Sequence, residues 1–270
     1  MTRSKNAVLF LMMFSVVALL FTGSGCKKDD TTAKSSTSYD LKTKDVLGVT
    51  GKVTFIETSA TSSTIEIVLT NAPSGTHPAG LYMYSEVENG ATVVALNPVD
   101  ETGKSSTLVT SMTYSQLNAY DGNVKVSKSS SEPGVILAQG DIGGNVLTTV
   151  NKTYALDTVA ALGVSGTALF EKRVNGNTLV TLSLKGTIDG QVYPATINLG
   201  SIATIGGGPV AKTLSSVQGT DGKSFTNIRQ LDSDIKITYD NWLVYVGYIN
   251  IYQIAIDPVN IICHGNIGPI

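Results

Sequence analysis

Hydrophobic and polar positions alternate along most of the chain with a period of two, the spacing that puts successive side chains on opposite faces of a β-strand. In Ser63-Thr-Ile-Glu-Ile-Val-Leu69, for example, Ile65, Ile67 and Leu69 fall on one face. Thr, Val, Ile and Tyr fill these runs, and clusters of Gly, Asn, Asp and Pro separate them, which predicts short strands joined by tight turns. Tyr114 to Tyr120 is open between strand and helix, because Leu117 and Tyr120 would share a helical face. Trp242 to Tyr252 reads as a strand, or as a bent strand pair pivoting at Gly247. Strands recurring every 8–12 residues or so indicate an all-β chain built as sandwiches or barrels.

One segment breaks this pattern. After the basic start Met1-Thr-Arg-Ser-Lys-Asn6, the run from Ala7 to Thr22 is apolar except at Ser15 and Thr22. As a helix it would rise about 24 Å, short of the roughly 20 residues of a stable span, so it reads as a secretory leader. It ends in Phe21-Thr-Gly-Ser-Gly-Cys26, where small residues precede a cysteine, as the narrow site of a lipoprotein signal peptidase requires. Gly23 stands where a branched apolar residue is usual. The expectation is a leader over 1–25, lipidation of Cys26, and a flexible Lys/Asp/Thr/Ser-rich tether over 26–38. The Cys26-Lys-Lys-Asp-Asp30 start also resembles the export signal that carries lipoproteins to the outer face of the outer membrane in some Gram-negative bacteria.

The remainder repeats itself. A shift of 115 residues lays Tyr39 on Tyr154, Leu47-Gly-Val-Thr-Gly51 on Leu162-Gly-Val-Ser-Gly166 and Phe55 on Phe170. From Thr113 the shift is 125 and runs without a gap, pairing Tyr120, Gly122, Pro133 and Gly140 with Tyr245, Gly247, Pro258 and Gly265. Two copies of one module are expected, over 39–150 and 151–270, with the second copy's ten or so extra residues placed in the Gly-rich stretch 200–209.

Tyr120-Asp-Gly-Asn-Val-Lys-Val126 followed by Pro133-Gly-Val-Ile-Leu-Ala-Gln-Gly-Asp-Ile-Gly143 resembles the C-terminal motif of chordin-type repeat (CHRD) domains. Gly247-Tyr-Ile-Asn-Ile-Tyr252 and Ile261-Ile-Cys-His-Gly-Asn-Ile-Gly268 carry it in the second copy, and Thr76-His-Pro-Ala79 with Val94-Ala-Leu-Asn-Pro-Val99 is similar to the segment around the family's His-Ile-His motif. The resemblance implies two tandem immunoglobulin-like or superoxide-dismutase-like β-sandwiches with an extracellular binding, adhesion or structural role. The histidines are missing, however. Gly80-Leu-Tyr82 and Thr196-Ile-Asn198 replace His-Ile-His, and Ser127 and Tyr252 stand near the strand histidine's place, so any metal capacity of the family is not expected here.

Charge and the rare residue types narrow the chemistry. Loss of Arg3 and Lys5 with the leader moves the net charge from −2 to −4, which argues against nucleic acid as a partner. Only His77 and His264 are histidines, and Cys263 neighbours His264 on what reads as a strand, where adjacent side chains diverge, so neither a metal nor another cofactor is expected. Thr102-Gly-Lys-Ser105 and Asp221-Gly-Lys-Ser224 lack the earlier glycine of a phosphate-binding loop and read as hairpin turns. Asp141 has Asn266 as its counterpart, and Glu132 and Asp257 each precede a proline, a turn-capping position. Tyr239, Trp242, Tyr245, Tyr248 and Tyr252 would fill a core or line a binding face, the core being favoured. The expected function is therefore non-enzymatic: a membrane-anchored, surface-displayed lipoprotein binding an extracellular protein or glycan. The alternative is a hydrolytic or redox enzyme whose site the sequence does not reveal.

Overall fold

The computed structural model describes residues 34–159, 163–205, 207–254 and 260–269. The leader, Cys26 and most of the tether lie outside the described residues, as do Leu162, Asp257 and Pro258. The first sheet is made of β1 (Ser36–Thr43), β2 (Thr50–Ser59), β3 (Ser62–Thr70), β4 (His77–Met83), β5 (Thr92–Val99), β6 (Lys104–Val109), β7 (Asp121–Ser127) and β8 (Ile136–Gly143), with helix α1 (Tyr114–Ala119) between β6 and β7. The second is made of β9 (Leu147–Thr158), β10 (Ser165–Arg173), β11 (Thr178–Lys185), β12 (Val192–Leu199), β13 (Val210–Gln218), β14 (Lys223–Ile228), β15 (Gly247–Tyr252) and β16 (Ile261–Ile267), with α2 (Tyr239–Trp242) before β15.

All pairings are antiparallel, and the two sheets share one topology. The first runs β5-β4-β7-β8-β1-β2-β3-β6; the second runs in the corresponding order and closes into a barrel through β13 and β14. At this seam each module uses a threonine hydroxyl to hold a backbone amide: Thr107 accepts from the Asn97 N–H at 2.8 Å and Thr226 from the Ser215 N–H at 2.9 Å. Gly103 and Gly222, with φ of 76° and 67°, turn the chain between the seam strands, as the hairpin reading expects.

Alternation places the apolar set inside each barrel, which is closed in the second module and barrel-like but unpaired between β5 and β6 in the first. Leu41, Val53, Phe55, Ile65, Ile67, Val124 and Val126 fill the first; Leu156, Phe170, Val180, Leu182, Ile197, Ile249 and Ile251 fill the second. Burying each such side chain contributes about 1.5–3 kcal/mol. The Tyr39–Phe55 ring pair, 5.4 Å between centroids, recurs as Tyr154–Phe170 at 5.3 Å.

Tyr114–Ala119 is a helix, begun by a capping box in which Thr113 accepts from the Gln116 N–H and Gln116 from the Thr113 N–H. Thr238 and Asn241 repeat this arrangement at α2. The strand expected from Trp242 therefore starts only at Gly247. Trp242 instead ends α2 and drops into the core, 5.9 Å from Phe170 and 4.8 Å from Tyr245, at the position Leu117 takes in the first module. The second copy's extra residues also differ from expectation. The segment 200–209 replaces 84–91, a gain of only two, whereas 229–238 between β14 and α2 replaces 110–113.

A polar junction and cleft between the two barrels

Three residues separate β8 from β9, so the barrels are held side by side. Arg173, at the end of β10, is 1% exposed, and its guanidinium points into the first module. It donates to Asp141 Oδ2 at 2.5 Å, to the Asn145 carbonyl, and through Nε to Asn227 Oδ1 at 2.7 Å. Asp141 Oδ1 accepts from the Glu86 N–H at 2.7 Å, tying the β4–β5 loop to the same point. Burial raises the Asp141 pKa above the ordinary carboxylate value, against the pull of Arg173.

A second contact joins that loop to the segment enlarged in the second module. The Arg229 guanidinium lies 4.1 Å from the Tyr84 ring centroid and 3.3 Å from a Glu88 oxygen, and Asn227 donates to Glu88 at 2.8 Å. Tyr84 itself has φ of 63°, a left-handed conformation that costs a non-glycine residue of order 1–3 kcal/mol and is held here by these contacts.

Beside this junction opens a cleft of about 710 Å³, within the range of about 300–1,000 Å³ usual for small-molecule sites. Lys42, Lys44, Glu86, Lys125 and Gln139 line it from the first barrel, and Ser215, Ser216, Gln218, Lys223 and Phe225 from the second. Lys125 donates to Asn89 Oδ1 at 3.2 Å and lies 5.4 Å from the Tyr82 ring centroid; burial lowers its pKa. Burial, reinforced by Asp141, raises that of Glu86.

Of the residues singled out in the sequence, Asp141 lies at the junction and Asp221, Lys223 and Ser224 of the second hairpin turn line the cleft, while the other candidates lie elsewhere. His77 is buried, with Nδ1 2.7 Å from the Lys128 carbonyl and Nε2 2.9 Å from the Pro73 carbonyl. Cys263 is a core residue whose thiol pKa burial pushes up to about 12, while His264 opposes Asp157 on the outer face, with a pKa lowered by burial. No group of three potential metal ligands occurs among the described residues. Where the family resemblance places histidines in the second copy, Thr196, Asn198, Asn250 and Tyr252 form a buried hydrogen-bonded network. Glu132 pairs with Lys128 on the surface. Tyr239, Trp242, Tyr248 and Tyr252 are all buried, and Tyr245 packs on the core, so these aromatics form no exposed face.

Arg173, Arg229, Lys42 and Lys44 were absent from the sequence reading, in which Lys125 stood only inside a strand motif and Lys223 only inside a hairpin turn. A signal for Arg173 existed: the repeat breaks charge symmetry there, setting Thr58 in the first copy against Arg173 in the second, just as it sets Asp141 against Asn266. No protein-family model, curated protein or solved structure matches the chain.

Proposed function

We propose that the protein is a lipid-anchored extracellular binding protein: Cys26 holds it to the outer membrane, the 26–38 tether spaces it from the lipid, and the paired barrels present a ligand site. The observation that carries this is the cleft, walled by both barrels and held in shape by the buried Arg173–Asp141 pair beside it. A cleft between locked units keeps its form before ligand arrives, which lowers the ordering cost of binding. Each half is a chordin-type repeat module. Each barrel is a flattened one, its halves β1-β2-β3-β6 and β5-β4-β7-β8 serving as the two layers of a sandwich. The short ladder of Lys42 and Thr43 against Gln139 and Ala138, which joins those halves, supports that view.

The test has two parts. Cys26→Ser should move the protein from the membrane to the soluble fraction, and mass spectrometry of the wild-type N-terminus should find acyl chains on Cys26. A glycan and protein array probed with the detergent-solubilised protein should then give ligands whose binding is lost when the cleft is altered. An unmodified N-terminus, or ligands indifferent to the cleft, would overturn the reading.

A further inference from the structure

Lys125, Gln139 and Lys42 stand directly opposite one another on β7, β8 and β1, so their side chains rise as one row from the outer face of the first barrel. The two lysines are thus two strand spacings apart, about 10 Å. Lys44 and, from across the cleft, Lys223 bring the cations to four. Among the described residues none of these four is in an ion pair, although six other basic residues are. Three acids share the lining: Asp45 accepts from the Ile136 N–H at 2.7 Å, Asp221 accepts from the Lys223 N–H at 2.9 Å, and Glu86 faces Lys42, Lys44 and Lys125 without an ion pair to any of them. On the facing wall the uncharged hydrogen-bonding groups of Ser215, Ser216 and Gln218 stand beside Asp221 and Lys223, and Phe225 among them is 44% exposed.

Resting on the binding role proposed above, we infer that the cleft takes an acidic oligosaccharide, a short chain of sugars bearing carboxylates. The lysine row pairs with the carboxylates, the hydroxyl and amide groups meet sugar hydroxyls, and the Phe225 ring lies against the apolar face of one sugar. A nucleic acid fits less well, because its charge density meets a chain whose net charge without the leader is −4 and a cleft without arginine. A protein partner fits less well too, since its hot spots favour apolar and aromatic pockets over a wet, lysine-lined trough.

Calorimetry on the detergent-solubilised full chain at low ionic strength, with tetragalacturonate as probe and cellotetraose as its uncharged counterpart, tests this. One tetragalacturonate should bind per chain, and cellotetraose at least about tenfold more weakly. Lys42→Gln with Lys125→Gln should weaken tetragalacturonate binding about tenfold, the size of two solvent-facing charge pairs. Lys104→Gln, on β6 and outside the cleft, should leave it unchanged, and matching circular dichroism spectra would establish that each variant is folded. Absence of tetragalacturonate binding, equal binding of cellotetraose, or insensitivity to the lysine pair would overturn the inference. If the acid tetramer fails while an array ligand binds the cleft, the acidic-sugar assignment falls and the binding role stands.

Discussion

Arg173 on the second barrel donates to Asp141 on the first at 2.5 Å, with the guanidinium 1% exposed and the carboxylate 12%. Removing one member of such a pair leaves the other charge buried alone, which costs about 3–5 kcal/mol. Arg173→Met should therefore lower the denaturation midpoint sharply, and adding Asp141→Leu should recover most of the loss. Chemical denaturation of the two variants checks this; equal stability of single and double variants would show that the pair is not coupled.

Gly122 and Gly247 each lie under the ring of the tyrosine two residues before, so a Cβ would sit 2.6 Å from Tyr120 and 2.7 Å from Tyr245. Backbone oxygens of Tyr82 and Asn198 close the other side at 2.7 and 2.9 Å. Gly122→Ala and Gly247→Ala should each destabilise by about 1–3 kcal/mol, the usual cost of overpacking. Thermal unfolding would show a lowered midpoint in both, and a structure of either variant should show the tyrosine displaced.

Glu86 carries a raised pKa, chiefly from burial and then from Asp141, while Lys42, Arg173 and Lys44 oppose the shift. A carboxyl whose folded pKa exceeds its unfolded one favours folding most when protonated. That contribution is complete below the unfolded value of about 4.3 and is lost as pH rises through the folded value. Glu86→Gln should accordingly have a higher midpoint than wild type at pH 7, with the difference closing near pH 4. A pH series of melting curves measures it, and a constant difference would count against burial as the cause.

His77 links the Lys128 and Pro73 carbonyls on the edge of the first barrel, 1% exposed. His77→Ala leaves those carbonyls without their ring contacts and opens a cavity, which should cost about 1–3 kcal/mol. Hydrogen exchange should rise first in the segments around Pro73 and Lys128 and not in the second barrel.

The all-β character and the hairpins at Gly103 and Gly222 were legible because strand alternation and turn glycines are local signals. The short helices were not. α1 buries chiefly Leu117, too little for a periodic stripe, and Trp242 looked like the start of an aromatic strand because nothing local separates it from Tyr245 and Tyr248. The cleft was hidden for a different reason. Lys42, Lys125 and Lys223 are far apart in the chain, and only sheet register and barrel docking bring them together.

The unequal divergence of the two halves also bears on assembly. A head-to-tail contact between like units can repeat without limit and grow into filaments. Here the donor is present only in the second half, because Thr58 occupies the place of Arg173 in the first, and the acceptor only in the first, because Asn266 occupies the place of Asp141 in the second. Each chain thus satisfies this contact internally and carries no spare copy of either partner among the described residues, so the series ends at two and neighbouring molecules have no matching ends at this contact with which to polymerise.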